Sequence, residues 1–95
     1  MSKKYRSFED MPIWDKSQKL VLNAYRYTKS FPKEEAYNLT SQIRRSAVSI
    51  TANIAEAFGR YHYSDKNKFY YNARGSLEEF KSQLLIIITH EHSYS

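Results

Sequence analysis

Apolar residues recur at helical spacing in three segments of the chain, and the central segment shows the clearest pattern. Between residues 39 and 60, spacings of four and three align one apolar stripe on a helix, formed by Ile43, Ala47, Ile50, Ile54 and Ala57. Most other positions of this segment carry serine, threonine or alanine, so neighbouring helices can approach it closely. The pattern predicts the central helix of a bundle, with more than one packing partner.

A first helix is predicted over about 12–30. Asp10 is expected to be its N-cap, and Pro12 lies in the first turn, where the missing N–H costs nothing. Pro32 ends this helix, because the residue before a proline resists the α conformation. The predicted packing stripe comprises Trp14, Ser17, Val21, Ala24 and Thr28.

The second helix is predicted over about 40–59 and the third over about 65–89. Thr40 or Ser41 is expected to cap the second helix, and Gly59 to stop it as a C-terminal glycine. Ser64 and Asp65 form an N-cap pair for the third helix. The predicted seam of the third helix comprises Phe69, Ala73, Leu77 or Ser76, Phe80, Leu84 and Ile87.

The third helix, at about 25 residues or roughly 37 Å, has two unusual features. Its segment Leu84–Ile88 is apolar on all sides, which does not suit a helix with one face in water. Either another subunit buries this end, or a fourth helix has been lost by truncation or a frame shift. Gly75 costs about 1 kcal/mol relative to alanine, so another helix is expected to cross there. A strand over 84–89 is the competing local interpretation, but continuity with the seam favours a helix.

These elements predict an all-α, up-down antiparallel bundle over residues 11–95, preceded by a basic flexible arm over 1–10. Two glycines and two prolines disfavour a turn-rich β fold, and the absence of cysteine excludes disulfides, thiolate zinc sites and thiol nucleophiles. The N-terminus lacks the apolar core of a secretory signal. No apolar run approaches the roughly 20 residues needed to span a bilayer. A soluble cytoplasmic protein is therefore predicted.

The net charge of +5 belongs to the first two-thirds of the chain. Residues 1–60 carry eleven Lys/Arg against six Asp/Glu, whereas residues 61–95 carry four of each. This asymmetry favours a polyanionic partner, with nucleic acid ahead of a membrane surface. A surface that merely keeps the protein in solution is the alternative interpretation.

Arg44 and Arg45 are the first candidates for contact with phosphates. Adjacent helical residues project about 100° apart, so both cannot face the core, and a guanidinium fork suits paired phosphate oxygens. The structural alternative is an ion pair with Glu56 or Glu79 of a neighbouring helix or subunit. Arg74 is expected to be structural, with a salt bridge to Glu56.

Further candidates lie at the N-terminus and at the turn into the third helix. Arg60 could contact phosphates, and Lys3, Lys4 and Arg6 could add contacts from the mobile arm, unless they form an ordinary solvated terminus. Four tyrosines flank the turn: Tyr61, Tyr63, Tyr70 and Tyr71. They suit either base stacking or packing between subunits.

Three segments in order carry a family resemblance: FEDMPIW from Phe8, FPKEEAYNLTSQIRRSAVSITANIAEAFGR from Phe31, and ARGSLEEFKSQL from Ala73. Together they resemble the four-helix-bundle family encoded in 23S rRNA intervening sequences, which includes accessory proteins of diversity-generating retroelements. The resemblance implies an antiparallel four-helix bundle, a ring-shaped homopentamer with a basic surface, nucleic-acid or ribonucleoprotein partners, and no enzymatic activity.

The chain departs from the family pattern in several places. Thr51 and Ala52 stand where the family commonly has proline and a small hydroxyl residue, and Ala57 stands where it has glycine. The fourth helix is missing, which bears on both the closed bundle and the pentamer.

The expected function is therefore non-enzymatic: a self-associating helical bundle that binds RNA or a ribonucleoprotein through a basic surface. The alternative is a protein–protein scaffold or accessory subunit, for example of a reverse transcriptase, without direct nucleic-acid binding. No cofactor, metal, membrane or small-molecule substrate is expected. The residues expected to pack the bundle or the oligomer are Trp14, Ile50, Ile54, Phe58, Gly75, Leu84, Ile87 and Ile88.

Overall fold

The computed structural model of the protein describes residues 5–31 and 36–94. Its three long helices are α1 (Pro12–Thr28), α2 (Ser41–Gly59) and α3 (Tyr63–Tyr94). The predicted all-α class and the three predicted helices are thereby confirmed. The apolar segment near the end of α3 is helical, as continuity with its seam indicated.

The helix α2 lies between the other two helices and packs against both. It runs antiparallel to each, because Arg44 near its start contacts Thr28 at the end of α1, and Lys66 near the start of α3 contacts Ala57 near its end. The helices α1 and α3 share no comparable contact with each other. The molecule is elongated, with extents of 55 × 21 × 19 Å, and α3, at 32 residues, runs along its long dimension.

The core follows the stripe predicted for α2. All five stripe residues are buried: Ile43, Ala47, Ile50, Ile54 and Ala57. From α1 the core receives Ala24, with Ser17 and Thr28 buried beside it, and from α3 it receives Ala73, Phe80 and Ile87. Trp14 and Val21 of the α1 stripe are partly buried against this cluster. The small residues of α2 thus allow two helices to pack on it, as predicted.

Polar pairs join α2 to α3 inside this interface. Ser76 rather than Leu77 faces α2, and its hydroxyl donates to Ser49 Oγ at 2.8 Å. Ser46 Oγ lies 2.9 Å from Gln83 Oε1 and donates to it, and both residues are buried. The apolar pattern could not reveal Gln83 as a core residue, because its burial depends on the serine opposite.

The start of α1 differs from the predicted cap. A short 3₁₀ helix, Phe8–Asp10, precedes α1, so Asp10 cannot serve as its N-cap. Met11, with extended dihedral angles, takes that position without a side-chain hydrogen bond, and Pro12 begins the helix as predicted. Ser7 instead caps the 3₁₀ helix, where its Oγ accepts from the Glu9 N–H at 3.3 Å.

The two ends of α2 also differ in mechanism from the prediction. A π-helical turn, Ala36–Thr40, leads into α2, so Thr40 keeps helical dihedral angles and makes no capping hydrogen bond. Gly59 ends the helix without the positive φ of a glycine cap. The Lys66 Nζ donates to the Ala57 carbonyl at 3.3 Å instead, which places a cation at the helix carboxyl end.

The helix α3 is longer than predicted, since it begins at Tyr63 and spans 32 residues. At 1.5 Å per residue it measures about 48 Å. None of the described helices crosses α3 at Gly75 as expected, because a Cβ added there would meet nothing within 4 Å. This glycine lies on the exposed face of α3, away from α2.

Candidate nucleic-acid interface

Within the described part of the chain, Arg44 is held in place by two uncharged side chains. Its Nε donates to Thr28 Oγ1 at 3.0 Å, and its Cζ lies 4.5 Å from the centroid of the Tyr25 ring. Thr28 Oγ1 in turn lies 2.7 Å from the Ala24 carbonyl oxygen, to which it donates. Neither of the two ion pairs within the described residues includes Arg44. A half-buried guanidinium is thus oriented by a hydroxyl and an aromatic face.

The ion-pair alternative for Arg44 is not realised in the described chain. Glu56 pairs with Arg60, and Glu79 accepts from the Gln83 amide at 3.2 Å. Arg74, which was expected to bridge to Glu56, instead lines a cavity together with Leu77, and Glu56 pairs with Arg60. The predicted structural partners are therefore engaged elsewhere.

Other cations gather at the same end of the molecule. We define the basic end by the exposed side chains of Arg26, Lys29 and Arg45 together with the half-buried Arg44. Arg26 lies in the last turn of α1 and Lys29 is its C-cap, while both arginines of α2 lie in its first two turns. The antiparallel packing of α1 and α2 brings these two termini together. The sequence analysis named Arg44 and Arg45 as candidates for phosphate contact, but it did not name Arg26.

Arg60 lies at the other end of α2, 15 residues and roughly 22 Å from Arg45. Its Nη2 is 2.9 Å from Glu56 Oε2, and its Cζ is 4.6 Å from the Phe69 ring centroid. A cation paired with a carboxylate attracts phosphate less strongly than an unpaired one. Arg60 is therefore a weaker candidate, and it does not share a surface with the basic end.

Of the N-terminal candidates, Arg6 lies towards Arg60 rather than at the basic end. Arg6 is exposed, and the nearby Phe8 lines a shallow depression with Gly59 and Arg60. Lys3 and Lys4 lie outside the described residues. The proposed phosphate contacts thus divide into two groups at opposite ends of the molecule.

Aromatic side chains also cluster near Arg60. Tyr61, Tyr63 and Tyr71 are all highly exposed, and the Tyr61 and His62 rings meet edge to face with centroids 5.5 Å apart. Packing within one chain does not cover these tyrosines. Base stacking and contact with another subunit both stay open as predictions for them.

A second surface, which the sequence analysis did not predict, lies between α1 and α3. We call it the apolar groove; α2 forms its floor, and it contains two adjoining cavities of about 440 and 360 Å³ that share Leu20. Its apolar lining consists of Ile13, Leu20, Ala24 and Tyr27 from α1, Ile43, Ile50 and Ile54 from α2, and Tyr70, Ala73, Leu77, Phe80, Leu84 and Ile88 from α3. The groove could have been predicted from the apolar residues that lie beside each predicted seam, such as Leu20 and Leu77.

Two further classes of site are absent from the described residues. They contain no group of three histidine, cysteine, aspartate or glutamate side chains placed to hold a metal ion. In the same part of the chain, none of the helices combines the length and apolarity needed to cross a membrane.

The fold and surface define a small helical-bundle protein with a basic end and an apolar groove. The profile of the 23S rRNA-intervening sequence protein family matches residues 9–94, and the chain belongs to this family. The family resemblance seen in the three sequence segments is thereby confirmed. No curated protein matches the chain.

Proposed function

We propose that the protein is a non-enzymatic, self-associating bundle that binds RNA, alone or in a ribonucleoprotein, through the basic end. The observation that carries this proposal is the environment of Arg44, whose guanidinium is fixed by Thr28 and Tyr25 and is paired with none of the described carboxylates. A guanidinium ordered in advance loses less conformational entropy when it binds a phosphate. The family name, which refers to an rRNA insertion, supports the choice of RNA as the polyanion.

The chemistry of the basic end favours contacts to the RNA backbone over contacts to base edges. Arg44 and Arg45 project in different directions from one helix, so they can reach two phosphates along a strand. Arg26 and Lys29 extend the positive surface onto α1. Binding of this kind is electrostatic, depends little on sequence and weakens steeply with salt.

The test is a paired substitution with a matched control. Arg44→Gln/Arg45→Gln removes two cations of the basic end, and Lys68→Gln/Lys81→Gln removes two exposed cations of α3. The affinity of each variant for a labelled single-stranded RNA is measured by fluorescence anisotropy at several salt concentrations.

The arginine variant is expected to bind many RNA sequences more weakly. Its plot of log K against log [salt] should be flatter by about 1.4 units, the value for two lost phosphate contacts on a single strand. The lysine variant should retain most of the wild-type affinity and slope. Equal losses in both variants, or unchanged affinity in the arginine variant, would contradict the assignment of the basic end.

A scaffold or accessory subunit, for example of a reverse transcriptase, is the second candidate function. The apolar groove favours it, because a surface of that kind suits a polypeptide better than it suits RNA. The same titration separates the two candidates. Absence of RNA binding near physiological salt supports the scaffold.

A further inference from the structure

Three tyrosine rings project into solvent around the turn that joins α2 to α3. Tyr61 is 93% exposed, Tyr63 is 78% exposed and Tyr71 is 70% exposed. Among the tyrosines whose side chains the structure describes, no other is more than 43% exposed. We call these three rings the tyrosine surface. Rings exposed to this degree leave at least one face open to a flat ligand.

The backbone places the tyrosine surface within reach of one short strand. Tyr61 lies in the turn after α2, and Tyr63 is the first residue of α3. Tyr71 follows eight residues further along α3, at a rise of about 12 Å and on an adjoining face of the helix, about 80° round from Tyr63. Nucleotides of a stacked strand are about 3.4 Å apart, so about four of them cover this distance.

The charge around the tyrosine surface suits a polyanion. Residues 60–71 carry three Lys/Arg and one Asp. Of the two ion pairs within the described residues, one involves this segment, and it joins Arg60 to Glu56. Aromatic rings within a positive surface are the arrangement by which proteins bind single strands without reading their sequence, because every base has a flat π face.

The residues between the rings do not suit the centre of a contact between subunits. Residues 60–72 contain no aliphatic side chain, and the exposed positions 64, 65, 67 and 68 are serine, aspartate, asparagine and lysine. Three of these four residue types are depleted at the cores of protein interfaces. The apolar surface predicted to self-associate begins at Leu85, roughly 21 Å beyond Tyr71 along α3. Single-stranded nucleic acid fits the tyrosine surface better than a second subunit does.

We propose that the tyrosine surface is a second RNA-binding site, at which unpaired bases of a single strand stack on the tyrosine rings. The inference rests on the proposed function, from which it takes RNA as the partner. The tyrosine surface and the basic end lie at opposite ends of α2, roughly 22 Å apart. One strand can therefore contact both, with its phosphates at the basic end and its bases at the tyrosine surface. Duplex RNA cannot use the tyrosine surface, because its bases are stacked inside the helix.

The probe is a fluorescein-labelled RNA single strand of about 12 nucleotides, which at roughly 3.4 Å per nucleotide reaches from one surface to the other. A second strand has the same number of phosphates but carries abasic riboses, so it keeps the electrostatic attraction and loses the stacking. The ratio of the two affinities, called the base preference, is measured by anisotropy at several salt concentrations. The wild type should show a base preference of roughly tenfold or more, since stacking of one base contributes about fivefold or more.

The rings are tested with substitutions at exposed positions, so that the fold is preserved, and circular dichroism checks the helix content. Tyr61→Ala/Tyr63→Ala/Tyr71→Ala should lose most of the base preference, whereas its salt slope should stay at the wild-type value because no charge is removed. Phenylalanine at the same three positions should keep the base preference, since the ring and not the hydroxyl stacks. Leu22→Ser/Val48→Ser removes exposed apolar side chains elsewhere, at 55% and 43% exposed, and should also keep it.

Variants of charged residues separate this inference from the proposed function. Arg44→Gln/Arg45→Gln should flatten the salt slope yet keep the base preference, which is the reverse of the alanine variant. Lys68→Gln/Lys81→Gln should keep the base preference as well. If the arginine variant binds as the wild type does while the alanine variant loses the base preference, the basic end is wrong and the tyrosine surface stands.

The inference is overturned if the wild type shows no base preference, if the alanine variant keeps it, or if the phenylalanine variant loses it. It is also overturned if the alanine variant lowers the mass of a wild-type oligomer in light scattering, because another subunit would then cover the rings. A wild type that binds neither strand contradicts the proposed function and this inference together.

Discussion

At the scale of single residues, hydrogen-bonded pairs fix how α2 and α3 lie against each other. Ser46 faces Gln83, and Ser49, about one turn further along α2, faces Ser76, which lies two turns before Gln83 on α3. A shift of either helix by one residue would leave these polar groups without their partners, at a cost of about 1–3 kcal/mol for each buried group. The pairs therefore specify a register that apolar packing alone leaves less well defined.

The two partners of the buried pair should be energetically coupled, because each leaves a polar group of the other without its hydrogen bond when it is removed. Ser46→Ala is expected to destabilise the protein by about 1–2 kcal/mol, because Gln83 Oε1 loses its donor. In the double variant Ser46→Ala/Gln83→Met the loss should be smaller than the sum of the single losses. Urea denaturation followed by circular dichroism measures the free energies of unfolding of the wild type, of Ser46→Ala, of Gln83→Met and of the double variant. Strict additivity would show that the pair contributes no coupling.

Removal of the Thr40 hydroxyl should stabilise the protein, in contrast to removal of the Ser46 hydroxyl. Its Oγ1 is buried and has no hydrogen-bond partner among the described residues. Thr40→Val keeps the shape and removes the unpaired hydroxyl, so the variant should be more stable by about 1 kcal/mol.

Thr28→Val is the control for that substitution, because the Thr28 hydroxyl accepts from Arg44 and donates to the α1 backbone. The control should lose stability where Thr40→Val gains it. Thermal unfolding of both variants against wild type gives the two signs. A loss of stability in Thr40→Val would mean that its hydroxyl is satisfied in solution.

At the scale of elements, the sequence determined the three helices and the buried face of α2 most completely. Five apolar residues at regular spacing indicated that face, because each becomes buried whichever neighbour packs on it. The choice between Ser76 and Leu77 on α3 could not be made in advance, since both positions lie near the seam. The serine on α2 decides that choice, and it lies far away in sequence.

The same reasoning explains what was missed at the helix ends and at the candidate sites. Asp10 and Gly59 are residue types that are common at helix ends. In the structure, however, Asp10 belongs to a 3₁₀ helix, and Lys66 of α3 contacts the carboxyl end of α2. Arg44 and Arg45 could be found from sequence as exposed cations. The contact of Arg44 with Thr28 and Tyr25, like the apolar groove, depends on how α1 is placed relative to α2.

Substitution of Gly75 tests whether another subunit crosses α3 at this position. Within one chain the position is exposed and open, so Gly75→Ala should raise stability by about 1 kcal/mol through helix propensity. Gly59→Ala at the exposed end of α2 should give a smaller gain. If another subunit crosses α3 at this glycine, the added methyl group should lower the oligomer mass even as the monomer becomes more stable. Chemical denaturation and light scattering report the two effects separately.

At the scale of the whole molecule, the carboxyl half of α3 keeps apolar side chains in water when the chain is alone. Leu85 and Ile86 are 55% and 54% exposed, and they project from different sides of the helix. Self-association, predicted from the apolar character of Leu84–Ile88, would cover these side chains. The solution mass of the protein is the direct measure of that prediction.

Leu85→Ser/Ile86→Ser should reduce the mass measured by multi-angle light scattering towards that of a single chain. Burial of each side chain contributes about 1.5–3 kcal/mol, so loss of both should weaken association by two or more orders of magnitude. Leu22→Ser/Val48→Ser again serves as the control, and its oligomer should be unchanged. A monomeric wild-type protein would contradict the prediction outright.

The position of α2 between its neighbours has a consequence for how the molecule comes apart. Since α1 packs mainly on α2, the three helices form an open series in which the two outer helices make few backbone-level contacts with each other. The first helix can therefore detach while the α2–α3 hairpin stays closed, whereas disruption of α2 releases everything. A ligand that contacted both α1 and α3 would link the two outer helices. All three helices would then unfold together in one cooperative transition.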